Sequence, residues 1–288
     1  MRRIDAHHHL WDLEAVHYPW LMARGVPRFF GDPSPIQRNY LLEEFRRDAA
    51  GFSASVHIQV GAEDGLAEAR WIQSVADAAP DWPMVQVAFC DLAAPDLDVR
   101  LAALQALPSV RGVRQIVGRA PGEDAVTGTN ALLDDPAFAE GLREAGRRGL
   151  SFDLQLIPEL YEKTARILSD APDTRVALCH AGSPHDRSPE GLRDWAARLR
   201  DLSSLPQVTV KLSGLGMFDH DWTTDRIAPI VETCLDQFGE GRAMFGSNFP
   251  VDSLYSDYAT LVAAYEALVP AEMQPAVFGG TAAAFYGL

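Results

Sequence analysis

Three consecutive histidines, His7, His8 and His9, follow Asp5 and Ala6 near the amino terminus. Imidazole titrates near neutrality, ligates transition metals and both gives and takes protons. Two rings aimed at one point can therefore hold a metal ion or polarise a reacting carbonyl. Alternation along an extended strand predicts Asp5, His7 and His9 on one face, with Ile4, Ala6 and His8 on the other. Further along, polar side chains recur where apolar runs end: His57 and Gln59, Arg114 with Arg119, Asp153 with Gln155, His180, Lys211, and Asn248 with Asp252. One such residue would mean little. A series of them is hard to explain as packing, because each buried polar group needs a partner or water.

The elements that must carry these residues are legible in the pattern. Short apolar or β-branched runs lie at 54–60, 84–92, 110–117, 150–157, 175–181, 208–213 and 243–247, separated by segments with apolar residues at helical spacing. Asp135-Pro136 and Ser188-Pro189 set a capping side chain before a proline at the first helical position. With the first strand this makes eight strand–helix units, the last helix running over about 258–268. No shift of composition marks a boundary, so the expectation is one (β/α)8 barrel domain over 1–288. An open doubly wound sheet is the alternative, but the first strand is not followed by Gly-x-Gly-x-x-Gly. Residues of about 12–37, rich in proline and glycine, form an extended loop whose Trp20, Phe29 and Phe30 could cover a cleft beside the histidine strand.

Composition excludes some partners. A net charge of −15 disfavours phosphate backbones and anionic lipid, so neither nucleic acid nor membrane is expected as a partner. No apolar run is long enough to cross a bilayer. Cys90, Cys179 and Cys234 are an odd, widely spaced set that suits reduced thiols in a cytoplasm. A homo-oligomer is compatible with all of this.

Several motifs together resemble the amidohydrolase superfamily, in its lactonase branch of metal-dependent TIM-barrel hydrolases. They are Asp5-Ala6-His7-His8-His9-Leu10-Trp11, Tyr18-Pro19-Trp20, Gly112-Val113-Arg114, His180-Ala181-Gly182-Ser183-Pro184, Val210-Lys211-Leu212-Ser213-Gly214-Leu215 and Phe245-Gly246-Ser247-Asn248-Phe249-Pro250. They span nearly the whole chain. The resemblance implies hydrolysis of sugar-acid or carboxylated lactones, as in fuconolactonase, 4-sulfomuconolactonase and pyrone-dicarboxylate lactonase. Two departures stand out. Asn248 occupies the strand-eight position where the family usually has aspartate, and an amide cannot take a proton. Cys179 stands where an aspartate often precedes the histidine.

From the resemblance, His7, His9 and His180 are the expected ligands of a divalent metal, Zn2+ first, held weakly or dispensable because the strand-eight carboxylate is missing. The catalytic set is then His7, His9, His180, Asn248 and Asp252. His7 and His9 polarise the carbonyl, His180 assists proton transfer, Asn248 positions water, and Asp252 is a candidate base. Arg114 and Arg119 are expected to meet a substrate carboxylate or hydroxyls, with Gln155, Lys211, Trp20 and His57 as further substrate contacts. For Lys211 the alternative is a buried ion pair, and for His57 a histidine satisfied within the barrel wall. Neighbours in a strand point apart, which argues against Cys179 as a nucleophile beside His180. A metal-dependent decarboxylase or hydratase, or a barrel that only binds a sugar acid, are the competing readings.

Overall fold

A computed structural model of the chain describes residues 2–288. The strands are β1 (Ile4–His8), β2 (Ala54–Ile58), β3 (Met84–Phe89), β4 (Val110–Arg114), β5 (Ser151–Leu154), β6 (Val176–Leu178), β7 (Val208–Leu212) and β8 (Ala243–Phe245). They pair in chain order, all parallel, in one eight-stranded sheet. Just beyond the strand ends, Asn248 N–H donates to His7 O at 2.7 Å and His9 N–H to Phe249 O at 2.8 Å, which closes the cylinder. This is the expected TIM barrel. Helices lie outside it, and both expected caps are present: Asp135 accepts from Ala137 N–H and Ser188 from Gly191 N–H.

One apolar cluster, including Ile4, Ala6, Val56, Val87 and Met244, fills the barrel, and a larger one lies between sheet and helices. The floor is sealed by a helix that the periodicity did not reveal, Thr281–Tyr286, whose Phe285 and Tyr286 join the interior cluster. Burying two such rings contributes on the order of 2 kcal/mol each. Tyr286 also donates its hydroxyl to Asp153 Oδ1 at 2.9 Å.

The expected alternation along β1 is corrected. Asp5 pairs with Ser55 but His8 with His57, so one extra residue is inserted between them. Such a bulge resets the side-chain direction. Ile4 and Ala6 face the barrel interior. Asp5 does not share a face with His7; it points to the helical layer, where Oδ2 accepts from Tyr258 OH at 2.9 Å. Its Oδ1 accepts the backbone N–H groups of His7 and Ser247, both at 3.0 Å, and so ties β1 to the turn after β8. His8 also faces outward and stacks on Phe45 at 3.9 Å.

The segment 12–37 contains a four-residue helix, Pro19–Met22, and a 3-10 turn, Ser34–Ile36. Its aromatic residues are anchored across the rim: Phe30 O accepts from Tyr255 OH at 2.6 Å, and Phe29 packs on Phe218 at 5.5 Å between ring centroids.

Candidate active site

At the carboxyl ends of the strands a cleft of about 310 Å³ is lined by His9, Trp20, Arg114, Arg119, Gln155, His180 and Asn248 among others. His9 and His180 meet at this cleft; His7, expected in the catalytic set, is fully buried and does not line it, its ring lying 4.6 Å from that of His180 and 5.1 Å from that of His9 between centroids. Burial lowers the pKa of all three, that of His9 to about 3, and nearby Arg114 and Lys211 add to the effect on His7 and His180. Near neutral pH these are uncharged imidazoles.

The ring proton of His9 is assigned by its hydrogen bond. His9 Nδ1 lies 2.8 Å from Ile58 O, and a carbonyl only accepts, so Nδ1 carries the hydrogen and Nε2 keeps its lone pair. Ser213 Oγ accepts the His180 backbone N–H at 3.3 Å and lies 3.0 Å from His180 Nδ1. Where the hydroxyl donates its own hydrogen to Nδ1, the ring hydrogen is on Nε2. In that state the site offers one imidazole acceptor and one imidazole donor. His180 is presented by strained backbone: after β6 the residues His180, Ala181, Gly182 and Ser183 all have positive φ, at 56°, 51°, 73° and 58°. Non-glycine residues there cost about 1–3 kcal/mol each. The turn is held by Trp195 Nε1 donating to Ala181 O at 3.0 Å and by Tyr161 OH donating to Gly182 O. Among the described residues Asn248, at φ 57°, is the fourth non-glycine residue of this kind, so all four lie in the two turns that carry His180 and Asn248.

Asn248 lines the cleft, its Oδ1 3.2 Å from His9 Nε2, while its Nδ2 donates to Asp252 Oδ1 at 2.9 Å. Asp252 is buried behind it and does not line the cleft. Pro250, between the two, sits in the turn that sends Asp252 away from the opening. Burial raises the Asp252 carboxyl to about 7. Asp252, expected in the catalytic set, therefore does not reach the cleft and touches it only through its hydrogen bond with Asn248.

Arg114 is buried, with Nη1 donating to Gln59 O at 3.2 Å and Nη2 to Gln155 Oε1, and its Nε is unpartnered. Arg119 lines the same cleft, 3.5 Å from Glu123.

Two expected substrate contacts are not at the cleft. Lys211 Nζ donates to Asp153 Oδ2 at 2.6 Å and to Ala6 O at 2.7 Å in the barrel interior, both side chains fully buried. A lysine so satisfied is the buried pair of the alternative reading. His57 faces the helical layer, taking the Leu10 N–H on Nδ1 at 3.2 Å with Nε2 3.7 Å from Glu68. Regular alternation along β2 puts Val56 and Ile58 inside and His57 outside. Arg28 and Glu123 line the cleft without having been singled out. They are 95 positions apart and belong to no motif, so nothing in the sequence pairs them.

The residues fit a metal poorly. Both ring nitrogens of His7 are buried without a partner, as a ligand's would be, but the lone pair of His9 Nε2 faces Asn248 Oδ1 at 3.2 Å rather than an open position. Among the described residues no three His, Cys, Asp or Glu side chains are arranged to hold an ion. The amide at 248 removes the carboxylate that would complete such a set. Cys179 is buried and pushed up to about 11, an inert thiol.

Comparison with known proteins agrees with this architecture. The chain is 36% identical to an uncharacterized protein of Sinorhizobium fredii, over 98% of this chain and 97% of the relative. It is 31% identical to L-fucono-1,5-lactonase of Burkholderia multivorans, over 99% and 96%. Two crystal structures of an amidohydrolase from Burkholderia multivorans, one with HEPES and one with zinc bound, superpose with a TM-score of 0.83 at 28% and 27% identity, covering 100% of both chains. The family model described as amidohydrolase matches residues 4–288, and with that match the barrel, its histidines and its strand-end motifs place the chain in the amidohydrolase family.

Proposed function

We propose that the protein is a lactonase, opening a carboxylated lactone by attack of water on the ring ester carbonyl. The observation that carries this reading is the pair in one cleft, beside the buried guanidinium of Arg114: His9, whose Nε2 keeps a lone pair, and His180, whose Nδ1 lies 3.0 Å from Ser213 Oγ and whose Nε2 we take to carry the ring hydrogen. Lactonase-named relatives support the same chemistry.

Arg114 binds a substrate carboxylate through its unpartnered Nε edge and so orients the ring. His180 Nε2–H donates to the carbonyl oxygen and stabilises the oxyanion as water adds. His9 Nε2 takes the proton of that water, and the imidazolium formed donates to both Ile58 O and Asn248 Oδ1. Collapse breaks the ring C–O bond, and His9 returns its proton to the leaving alkoxide. The product is the open hydroxy acid. Asp252 holds the Asn248 amide so that its oxygen, not its nitrogen, faces His9.

A divalent ion such as Zn2+ polarises carbonyls and acidifies water where it is bound. With no three His, Cys, Asp or Glu side chains among the described residues arranged to hold an ion, we take metal here to be weakly held and dispensable. A decarboxylase reading needs a firmly bound ion and has less support. We take the substrate to be a small molecule met in the cytoplasm. Among the described residues no helix is long and apolar enough to cross a membrane, and the three cysteines are free.

The test is a pH-indicator screen of sugar-acid and muconate-type lactones on metal-stripped and zinc-loaded protein. Turnover that survives chelation and falls about 10²–10⁴-fold in His9→Ala and His180→Asn is expected. Turnover unaffected by both substitutions overturns the assignment.

A further inference from the structure

The cleft holds three guanidinium groups, from Arg28, Arg114 and Arg119, and one carboxylate, Glu123. Glu123 lies in the helix Pro121–Thr127 that follows β4, and its side chain is 17% exposed. Its Oε1 accepts from Arg28 Nη2 at 2.6 Å and lies 3.5 Å from Arg119 Nε. Arg28 comes from the opposite side of the cleft, on the 12–37 segment, and lies over the Trp20 ring at 5.3 Å. Arg114 differs from the other two. Its hydrogen bonds go to uncharged oxygens, and it pairs with no carboxylate among the described residues.

We propose that Glu123 determines substrate charge: hydrogen-bonded to Arg28 and 3.5 Å from Arg119, it offsets the charge of two of the three guanidinium groups and leaves Arg114 as the one with no carboxylate paired to it, and so selects ligands with a single carboxylate. This rests on the reading of the cleft as the substrate site. The physical reason is competition. A second ligand carboxylate at Arg28 must displace Glu123 from its hydrogen bond, and one at Arg119 is left beside the like charge of Glu123, 3.5 Å from that guanidinium. A neutral side chain at 123 removes both costs for a dianion and changes little for a monoanion at Arg114. Like-charge exclusion of this kind is a common source of specificity.

The probes are butyrate and glutarate, titrated at pH 7.5 against the full-length protein and followed by tryptophan fluorescence, since Trp20 lines the cleft. Wild type is expected to bind butyrate at least as tightly as glutarate. Glu123→Gln is expected to tighten glutarate about tenfold and butyrate less than about threefold. Adding Arg28→Met to Glu123→Gln is expected to remove most of the glutarate gain, because the second guanidinium is then missing.

If Glu123 merely fastens the two loops, Glu123→Gln weakens both probes together, and the proposal is wrong. Equal tightening of both, or no binding of butyrate to wild type, overturns it as well. Mono- and dicarboxylated lactones are assayed in parallel to separate this from the lactonase reading. A glutarate gain with no lactone turned over leaves the charge filter standing and removes the lactonase. Turnover with an unchanged preference in Glu123→Gln does the reverse.

Discussion

His9 Nε2 and Asn248 Oδ1 face each other at 3.2 Å while His9 Nδ1 already donates to Ile58 O. A neutral His9 therefore presents a lone pair to an acceptor, and only the imidazolium satisfies both neighbours. The contact favours the charged ring that forms when His9 takes a proton. Removing the acceptor by Asn248→Ala is expected to lower kcat about 10–100-fold with a smaller change in KM. Asn248→Asp puts a negative charge at the same distance and raises the pKa of His9 above its value of about 3. Histidine resonances followed by NMR across pH 3–7 check the shift, and an unmoved His9 titration contradicts it.

Asp252 acts on this contact through Asn248 Nδ2, so its ionised form, an acceptor only, holds the amide best. Its carboxyl is raised to about 7, and it becomes ionised as the pH rises through that value. The rate is expected to climb over the same interval. In Asp252→Asn that limb disappears and kcat falls about tenfold, while KM stays near wild type. A pH–rate profile with the limb intact in the variant shows that another group is responsible.

Gly214 makes room for His180. A Cβ at this position would lie 2.4 Å from His180 Nδ1, and the backbone there has φ +62°. Gly214→Ala must displace the ring or distort the turn, at a cost of about 1–2 kcal/mol for the left-handed residue alone. The expected result is a kcat loss of about 100-fold or more in protein that still folds, measured by activity beside a thermal melt.

Glu68 and His57 form a buried pair behind the cleft wall that ties its two edges: Leu10 N–H to His57 and Val60 N–H to Glu68, the latter at 2.7 Å. Burial raises Glu68 from 4.5 to about 8. The unfolded chain releases this proton first, so between about pH 4.5 and 8 the group costs the folded state increasing free energy as pH rises. Glu68→Gln keeps an acceptor for Val60 and removes that cost. The Tm of the variant minus that of wild type is expected to grow from pH 4.5 to 8, by on the order of a few kcal/mol in stability. His57 has the opposite sign. Lowered from 6.5 to about 3, it destabilises the fold as pH falls through that range. A difference in Tm that is flat with pH contradicts the assignment to Glu68.

Eight apolar runs separated by helical periodicity were enough for the barrel, because each parallel strand is buried on both faces and each helix on one. Capping at Asp135 and Ser188 was legible for the same local reason, a side chain bonding a backbone group two or three residues on. The order of motifs likewise pointed to the family and to a site joining His9, Arg114, His180 and Asn248, since strands of such a barrel end on one rim. What the sequence could not decide were the directions and pairings. The bulge in β1 is a mismatch of one residue against β2, visible only once the two strands are paired, and it turned Asp5 away from His7. Lys211 left the site because Asp153, Ala6 and Tyr286 surround it in the barrel interior, partners drawn from both ends and the middle of the chain. The meeting of Arg28 with Glu123 across the cleft is of the same kind. Local chemistry sets the elements; which charged groups neutralise one another depends on distances that exist only after the chain has closed on itself.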